Sequence, residues 1–404
     1  MNILFLCGLF PKDREQEIAT NSKSSIQYAA NNLQWSIANG LEYFYEQLKI
    51  ISLPYISSYP FGYKTSFFRS SKFSLKSETS NSCVGFINLP FINFISRYWN
   101  AKKAIQKWGE NISGNSCIIV YAIHTPFLKA AIDFKKSMPN VKICLVVPDL
   151  PQFMSGSRNI IYRLLKTLET VIINQCLEET DSFVLLSKYM VESLKIENKP
   201  WTRVEGIFEQ THIEEHAPKE ESKTILYTGT LARQYGIINL LDAFDAIKDL
   251  NYKLWICGEG DCRNEIEKRA KFDTRIKYFG QQPRSIILTL QKKATILVNP
   301  RTPEGDYTKY SFPSKTMEYL ASGTPCLLYR LKGIPEEYFQ YCFVMNNGNI
   351  EELKEMIITV CNKDQSELDE FGRKAAKFIF ENKNSISQVR KIYELLNSID
   401  KNKS

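Results

Sequence analysis

The sequence predicts an α/β protein of two domains, each built on a doubly wound parallel sheet. Three observations predict it. Short β-rich runs alternate with amphipathic helical stretches through the C-terminal half, an order that requires crossover connections. The N-terminal half repeats this order less regularly. The chain has 404 residues with 44% hydrophobic content, more than a single core usually holds.

Taken in order, Ile3–Leu6 is an apolar run of strand length, stopped by Gly8. It lacks the basic n-region and small-residue cleavage site of a signal peptide. Ser24–Ala38 reads as a helix ended by Gly40. Lys49–Leu53, Cys117–Ala122, Lys142–Val147 and Ser182–Leu186 read as strands, the last preceded by a long helix from Asn159 to Glu178. The polar stretch His212–Ser222, with Pro218 and a cluster of Glu and Lys, reads as an interdomain linker. It divides an N-terminal domain, 1–215, from a C-terminal domain, 216–384. A final helix, Ser385–Leu396 within 385–404, is expected to pack back on the first domain.

The second half is more regular. Strands are expected at Thr224–Thr228, Lys253–Cys257, Ile276–Phe279, Thr295–Val298, Pro325–Tyr329 and Cys342–Met345. Helices are expected at Ile237–Ile247, with apolar residues at helical spacing, at Arg263–Ala270, and after Pro283. Gly258, Gly280 and Gly323 punctuate the turns. Ligand sites in such a fold lie at the C-terminal ends of the strands.

Composition narrows the partners. The net charge of +8 permits nucleotides, phosphates or an acidic membrane surface. Ten scattered cysteines contain no C-x-x-C and several lie in apolar runs, as buried free thiols of a reducing compartment do. His124, His212 and His216 have no cysteine at ligand spacing, which argues against a metal site. No apolar run reaches the ~20 residues that span a bilayer. The expected location is cytoplasmic, or peripheral on the inner membrane face.

Three segments of the second half carry chemistry. Tyr227–Gly236 follows a strand and precedes a helix: Gly229 permits close backbone approach to a ligand, and Arg233 can add a bidentate phosphate contact. An ordinary turn with a solvent-facing Arg233 is the competing reading. In Cys257-Gly258-Glu259-Gly260-Asp261, two glycines end a strand, either for a ligand or for a plain turn with Asp261 as helix cap. In Tyr310–Glu318, Ser314 is the candidate N-cap, so Lys315 and Glu318 fall in the first helical turn. Lys315 suits a phosphate and Glu318 a ribose diol; helix-dipole decoration by Glu318 and a surface Lys315 is the competing reading. In the first half, His124 lies just past a strand end, where it can donate to a sugar hydroxyl or phosphate, or be satisfied structurally within its loop. Asp149, in Val147-Pro148-Asp149-Leu150-Pro151, ends another strand.

Together these residues resemble the retaining glycosyltransferases of family 4, which have the GT-B fold of two Rossmann-like domains facing a cleft. The resemblance is clearest from Thr224 to Asn349, over Tyr227–Gly236, Gly258-Glu259-Gly260 and Met317–Pro325. It extends more weakly through Gly8, His124, Asp149, Ser187 and Val204-Glu205-Gly206. It implies a UDP- or GDP-sugar donor bound mainly by the second domain, no metal and no further cofactor. The second glutamate of the family's E-x7-E motif, on the donor ribose, falls on Glu318; the first falls on Tyr310. The Arg and Lys of the diphosphate clamp fall near Thr230 and Tyr235, so Arg233 and Lys315 are the expected substitutes. Backbone N–H groups of this loop normally approach the donor sugar, a role the resemblance implies for the stretch Phe312, Pro313 and Ser314. Phe-Pro-Ser-Lys in this loop resembles a divergent branch among bacterial surface-polysaccharide enzymes. His124 matches the histidine contacting the transferred sugar, and Gly8 the first-strand loop near the diphosphate. The catalytic set implied is thus His124, Arg233 and Lys315; the donor set is Gly8, Gly229, Gly258, Phe312, Pro313, Ser314 and Glu318.

The stretch 62–110 holds Lys64, Arg69, Lys72, Lys76, Arg97, Lys102, Lys103 and Lys107 against Glu78 and Glu110, interleaved with aromatics from Phe67 to Trp99. Basic and aromatic residues together suit an anionic membrane or a polyprenyl-diphosphate-linked acceptor, and a saccharide acceptor is the alternative. The competing reading makes the aromatics core and the charges solvated. No nucleic-acid module accompanies the patch. Two other functions remain: a degenerate GT-B subunit supporting an active partner, and a nucleotide-sugar epimerase, which the scarcity of histidine in the second half disfavours.

Overall fold

The computed structural model describes residues 1–75, 80–150, 160–209 and 217–401. Lys76, Glu78, Pro151, Asn159, His212 and His216 lie outside the described residues, as does most of the expected linker. The chain forms two compact units, Met1–Ile207 with Ser385–Ser404, and Phe208–Asn384.

Among the described residues the first unit carries ten strands: β1 Asn2–Cys7, β2 Leu48–Ser52, β3 Phe67–Phe68, β4 Ser71–Phe73, β5 Asn81–Cys83, β6 Phe86–Ile87, β7 Ser116–Tyr121, β8 Val141–Val147, β9 Ser182–Leu185 and β10 Trp201–Arg203. Eight form one sheet in the order β10-β9-β8-β7-β1-β2-β5-β4, parallel except at the β4–β5 edge; β3 and β6 make a separate antiparallel ribbon. Every residue of β1 and of β7 is buried, as strands covered on both faces must be. The helices are α1 Glu15–Asn21, α2 Tyr28–Phe44, α3 Ile92–Gly109, α4 Thr125–Ser137, α5 Ile160–Glu179 and α6 Met190–Leu194.

Gly40 does not end its helix. The helix starts at Tyr28 rather than Ser24 and runs through Gly40 to Phe44. A Cβ at Gly40 would overlap Val389 of the helix Ser385–Lys401. The glycine is a point of close helix–helix approach. Phe44 stacks on Tyr393 of that helix, ring centroids 4.9 Å apart.

The second unit is an all-parallel six-stranded sheet in the order β13-β12-β11-β14-β15-β16. Its strands are β11 Lys223–Thr228, β12 Tyr252–Cys257, β13 Ile276–Gly280, β14 Ile296–Asn299, β15 Cys326–Tyr329 and β16 Phe343–Met345. Its helices are α7 Ile237–Asp245, α8 Arg263–Phe272, α9 Arg284–Lys293, α10 Lys315–Ala321, α11 Ile350–Cys361 and α12 Gln365–Asn382; the helix Ser385–Lys401 is α13. The strand order reverses between β11 and β14, and in the first unit between β1 and β7. Each reversal opens a crevice at the C-terminal ends of the strands, where α/β folds bind ligands. All ten cysteines are free and buried. Among the described residues no helix is long and apolar enough to cross a membrane.

Candidate functional site

In the second unit, the crevice is built from the loops after β11, β12 and β14 and the start of α10. Tyr319 ties α10 to the end of β11. Its hydroxyl accepts from the Thr228 N–H at 2.8 Å and donates to the Thr228 carbonyl at 3.0 Å. This fixes the preceding residue, Glu318. The Glu318 Oε1 accepts from Gln291 Nε2 at 2.7 Å and from Lys315 Nζ at 2.9 Å. Gln291 on α9 is fully buried, so the carboxylate is held by a group with no alternative partner in water. Oε2 of Glu318 takes no bond from a described residue. The Glu318 side chain is 19% exposed.

Lys315 and Glu318 are therefore partners of one another. The helix places them one turn apart, and Lys315 also lies close enough to Cys257 to act on its thiol electrostatically. Ser314 occupies the N-cap position, but its side chain makes no capping bond.

The loop leading into α10 is clamped from below. Phe312 is buried and packs against Tyr338 with ring centroids 5.2 Å apart, so its ring serves the core. Gly333 donates its N–H to the Thr308 carbonyl at 3.1 Å, and a Cβ there would overlap the Ser311 carbonyl. Pro313 is half-buried and Ser314 exposed.

Arg301, two residues past β14, is buried and has no carboxylate partner among the described residues. Its guanidinium lies over the rings of Tyr235 at 5.5 Å and Tyr307 at 4.7 Å, and Nη2 donates to Ser311 Oγ at 3.0 Å. Its Nε is buried without a partner. Arg233, by contrast, is exposed in a 3₁₀ turn; its backbone N–H donates to Asp261 Oδ1 at 3.1 Å. The segment after Gly229 reaches α7 only through this turn and Gly236, whose φ is +78°.

The glycines of the two turns pack on one another. Gly229 donates to the Cys257 carbonyl at 3.0 Å, and a Cβ on Gly258, at φ +139°, would overlap the Gly229 carbonyl. A Cβ on Gly260 would overlap the Leu231 backbone. These glycines are required by loop–loop contact before any ligand is considered. The Asp261 carboxylate caps the Arg233 turn, not its own helix α8, whose N-cap position is Cys262.

In the first unit, Gly8 ends β1 with its N–H donating to Gln34 Oε1 at 2.8 Å and its carbonyl accepting from Tyr55 at 3.0 Å. A Cβ at Gly8 would overlap the Tyr55 ring. Past β7, Ala122 adopts φ +73°, a strained conformation for a residue with a Cβ, and turns the chain so that His124 caps α4. The imidazole sits edge-on to Tyr55 and Phe127, at 5.2 and 4.3 Å. Burial, and then the nearby Arg97, hold its pKa well below 6.5. Its Nδ1 is buried without a partner. Asp149 stands exposed past the end of β8.

Gln291, Arg301 and Gly333 were not singled out by motif. Gln291 carried a signal, being a polar residue in the apolar stripe Ile287, Leu290, Ala294 of its helix. Arg301 followed an apolar strand, as Arg233 did. Among the described residues no group of three His, Cys, Asp or Glu is placed to hold a metal ion.

Residues 208–378 match the family model described as Glycosyl transferases group 1. No curated protein is significantly similar to the chain in sequence. Solved structures with the same fold include sucrose-phosphate synthase from Thermosynechococcus elongatus, with a TM-score of 0.61 at 13% identity over 100% of both chains. The Anabaena protein HepE, solved in complex with UDP, has a TM-score of 0.61 at 12% identity, covering 98% of this chain and 100% of its own. The apo structure of OtsA has a TM-score of 0.65 at 12% identity, covering 98% and 99%. Likeness at such low identity speaks to architecture, and the architecture of this chain, two Rossmann-like units each with a reversal of strand order, is the GT-B fold.

Proposed function

We propose that this protein is a retaining glycosyltransferase, similar to family 4, that moves a sugar from a UDP- or GDP-sugar to a saccharide or polyprenyl-diphosphate-linked acceptor in bacterial surface polysaccharide synthesis. One observation carries the reading. At the strand-order reversal of the second unit, Glu318 has one carboxylate oxygen held by buried Gln291 and the other open. A carboxylate so oriented suits a ribose hydroxyl.

In this reading Lys315 and Arg233 offset charge on the leaving diphosphate. By the family resemblance, the backbone at Phe312, Pro313 and Ser314 faces the sugar, the Gly229 and Gly258 turns border the nucleotide, Gly8 has its role near the diphosphate, and His124 its role at the transferred sugar. The bond from the anomeric carbon to the diphosphate oxygen breaks. The bond to the acceptor oxygen forms on the same face, and the acceptor proton passes to the departing phosphate. No protein nucleophile is assigned.

The test is donor-dependent release of UDP or GDP with candidate acceptors, preceded by a thermal-shift screen of both nucleotides. A ligand at 100 times its Kd stabilises by about 2.7 kcal/mol. Binding of neither nucleotide would leave the degenerate-subunit reading in its place.

A second observation favours a membrane-docked enzyme. Phe61, Phe67, Ile87, Phe91, Ile92, Ile95 and Trp99 are all more than one-third exposed. Ile92, Ile95 and Trp99 lie along one face of α3, which continues into Lys102 and Lys103. Phe67 and Ile87 are paired across the β3–β6 ribbon. We propose that this face meets an anionic membrane. The aromatics of 62–110 divide between this surface and the core, since Phe68, Phe73 and Phe86 are buried. Arg97, counted with the basic surface from sequence, points into the protein and takes no part.

A further inference from the structure

The first unit contains a pocket of about 270 Å³ bordered by α3, the segment 22–27, the loop after β2 and His124. Its chemistry is unusual for a structural void. Arg97 is 3% exposed, and two of its N–H groups donate to the Leu53 and Pro54 carbonyls at 2.8 and 2.7 Å. Its guanidinium covers the Phe86 ring at 3.7 Å. Burial lowers its pKa to about 9, which leaves it charged at neutral pH. No carboxylate pairs with it among the described residues.

A buried cation without a counter-ion is costly, and two carbonyl dipoles use only part of its five donors. One turn before it, Asn93 is 9% exposed, and its Oδ1 has no partner while its Nδ2 donates to Ser58 Oγ at 2.8 Å. His124 brings a second unsatisfied atom, Nδ1, held uncharged by burial. Tyr55 and Phe94 supply flat apolar walls, and Ser57 a hydroxyl. A water-filled or apolar ligand leaves the Arg97 charge uncompensated. A ligand with an oxyanion compensates it, and hydroxyls beside that group satisfy Asn93 and His124.

We infer that this pocket binds a sugar bearing an oxyanion, a phosphate or a carboxylate, with the anion against Arg97. This rests on the glycosyltransferase reading for its place in the reaction, as the acceptor site, but not for the binding itself.

The test is calorimetric titration of the full chain, without nucleotide, at low ionic strength. The probes are inorganic phosphate, glucose 6-phosphate and glucuronate, with glucose as the neutral control. At least one anion is expected to bind at least tenfold more tightly than glucose, and which one does so separates phosphate from carboxylate. Asn93→Asp sets a carboxylate one helical turn from Arg97, supplying the missing counter-ion from within. It is expected to fold with an unchanged or raised Tm and to lose at least tenfold in anion affinity. Arg97→Met, which removes the charge, is expected to lose the anion preference, with circular dichroism checking its fold. Binding of no anion, equal binding of glucose, or undiminished anion affinity in folded Asn93→Asp would each overturn the inference. UDP and GDP titrated into the same samples keep the two readings apart. Nucleotide binding without anion binding removes only the pocket, and the converse removes only the transferase.

Discussion

Gln291 and Lys315 hold the same oxygen of Glu318, at 2.7 and 2.9 Å, and leave the other oxygen open. Neutralising the charge and releasing the carboxylate should therefore have related effects. Glu318→Ala is expected to weaken UDP or GDP binding by tenfold or more. Gln291→Leu removes a hydrogen bond to a charged group, worth about 1.5–3 kcal/mol, and should weaken binding by roughly tenfold through loss of orientation. Calorimetric titration checks both. Unchanged affinity in the pair would remove Glu318 from the nucleotide site.

The Gly258 turn can be tested without any ligand. Its φ of +139° and its backbone contact with Gly229 make Gly258→Ala costly, by about 2–4 kcal/mol. Gly323 also has a positive φ, +76°, but open space around it, so Gly323→Ala should cost only about 1 kcal/mol. Denaturant unfolding gives both values. Equal costs would mean that dihedral strain, not loop contact, demands the glycine.

Gly40 and Val389 form a second backbone-limited contact. Alanine favours a helix over glycine by about 1 kcal/mol, so Gly40→Ala would stabilise an isolated helix. Here it should destabilise, because its Cβ overlaps Val389. Val389→Ala in the same chain should recover part of the loss, and a double-mutant cycle measures the coupling.

His124 makes stability depend on pH. The unfolded imidazole takes up a proton near pH 6.5, while burial keeps the folded one neutral well below that value. More protons are then bound in the unfolded state, so stability rises with pH through this range. The contribution is complete above pH 6.5 and is lost as pH falls toward the folded pKa. Tm should drop between about pH 7 and pH 5, and less steeply in His124→Gln. Parallel slopes in calorimetric scans would show that other groups carry the dependence.

Membrane docking makes a separate forecast. The chain should sediment with vesicles containing anionic lipid and less so as salt rises. Ile95→Ser with Trp99→Ser should abolish sedimentation while leaving nucleotide binding intact. Lys102→Glu with Lys103→Glu should weaken it. Sedimentation indifferent to salt and to these changes would assign the exposed side chains another role.

The longer parallel strands of both sheets were legible because buried parallel strands are apolar runs, such as Ile3–Leu6 and Leu254–Cys257, whereas the short strands β4, β5 and β10 carry no such run. Their observed ends differ by a residue or so. Glycine was harder. Gly40 carries the usual signature of a helix end, yet it marks helix contact across 349 positions of sequence, Gly40 to Val389, which local pattern does not encode. For Gly258 and Gly260 the sequence leaves a ligand-facing turn and a plain turn both open, and the structure shows that their first obligation is to the loop at Gly229 to Leu231. Lys315 and Glu318 were recognisable as a pair of charges, but their direct partnership and the grip of Gln291 arise from tertiary packing. Arg97 sat among surface lysines in composition and turned inward because α3 presents it to the ends of β2.

The helix α13 belongs to the first unit although it follows the whole of the second in the chain. During synthesis, then, the second unit can close its six-stranded sheet while the first still lacks the helix that covers Gly40 and Phe44. The part of the protein made first is finished last, and a premature stop anywhere between 208 and 384 injures both units, not one.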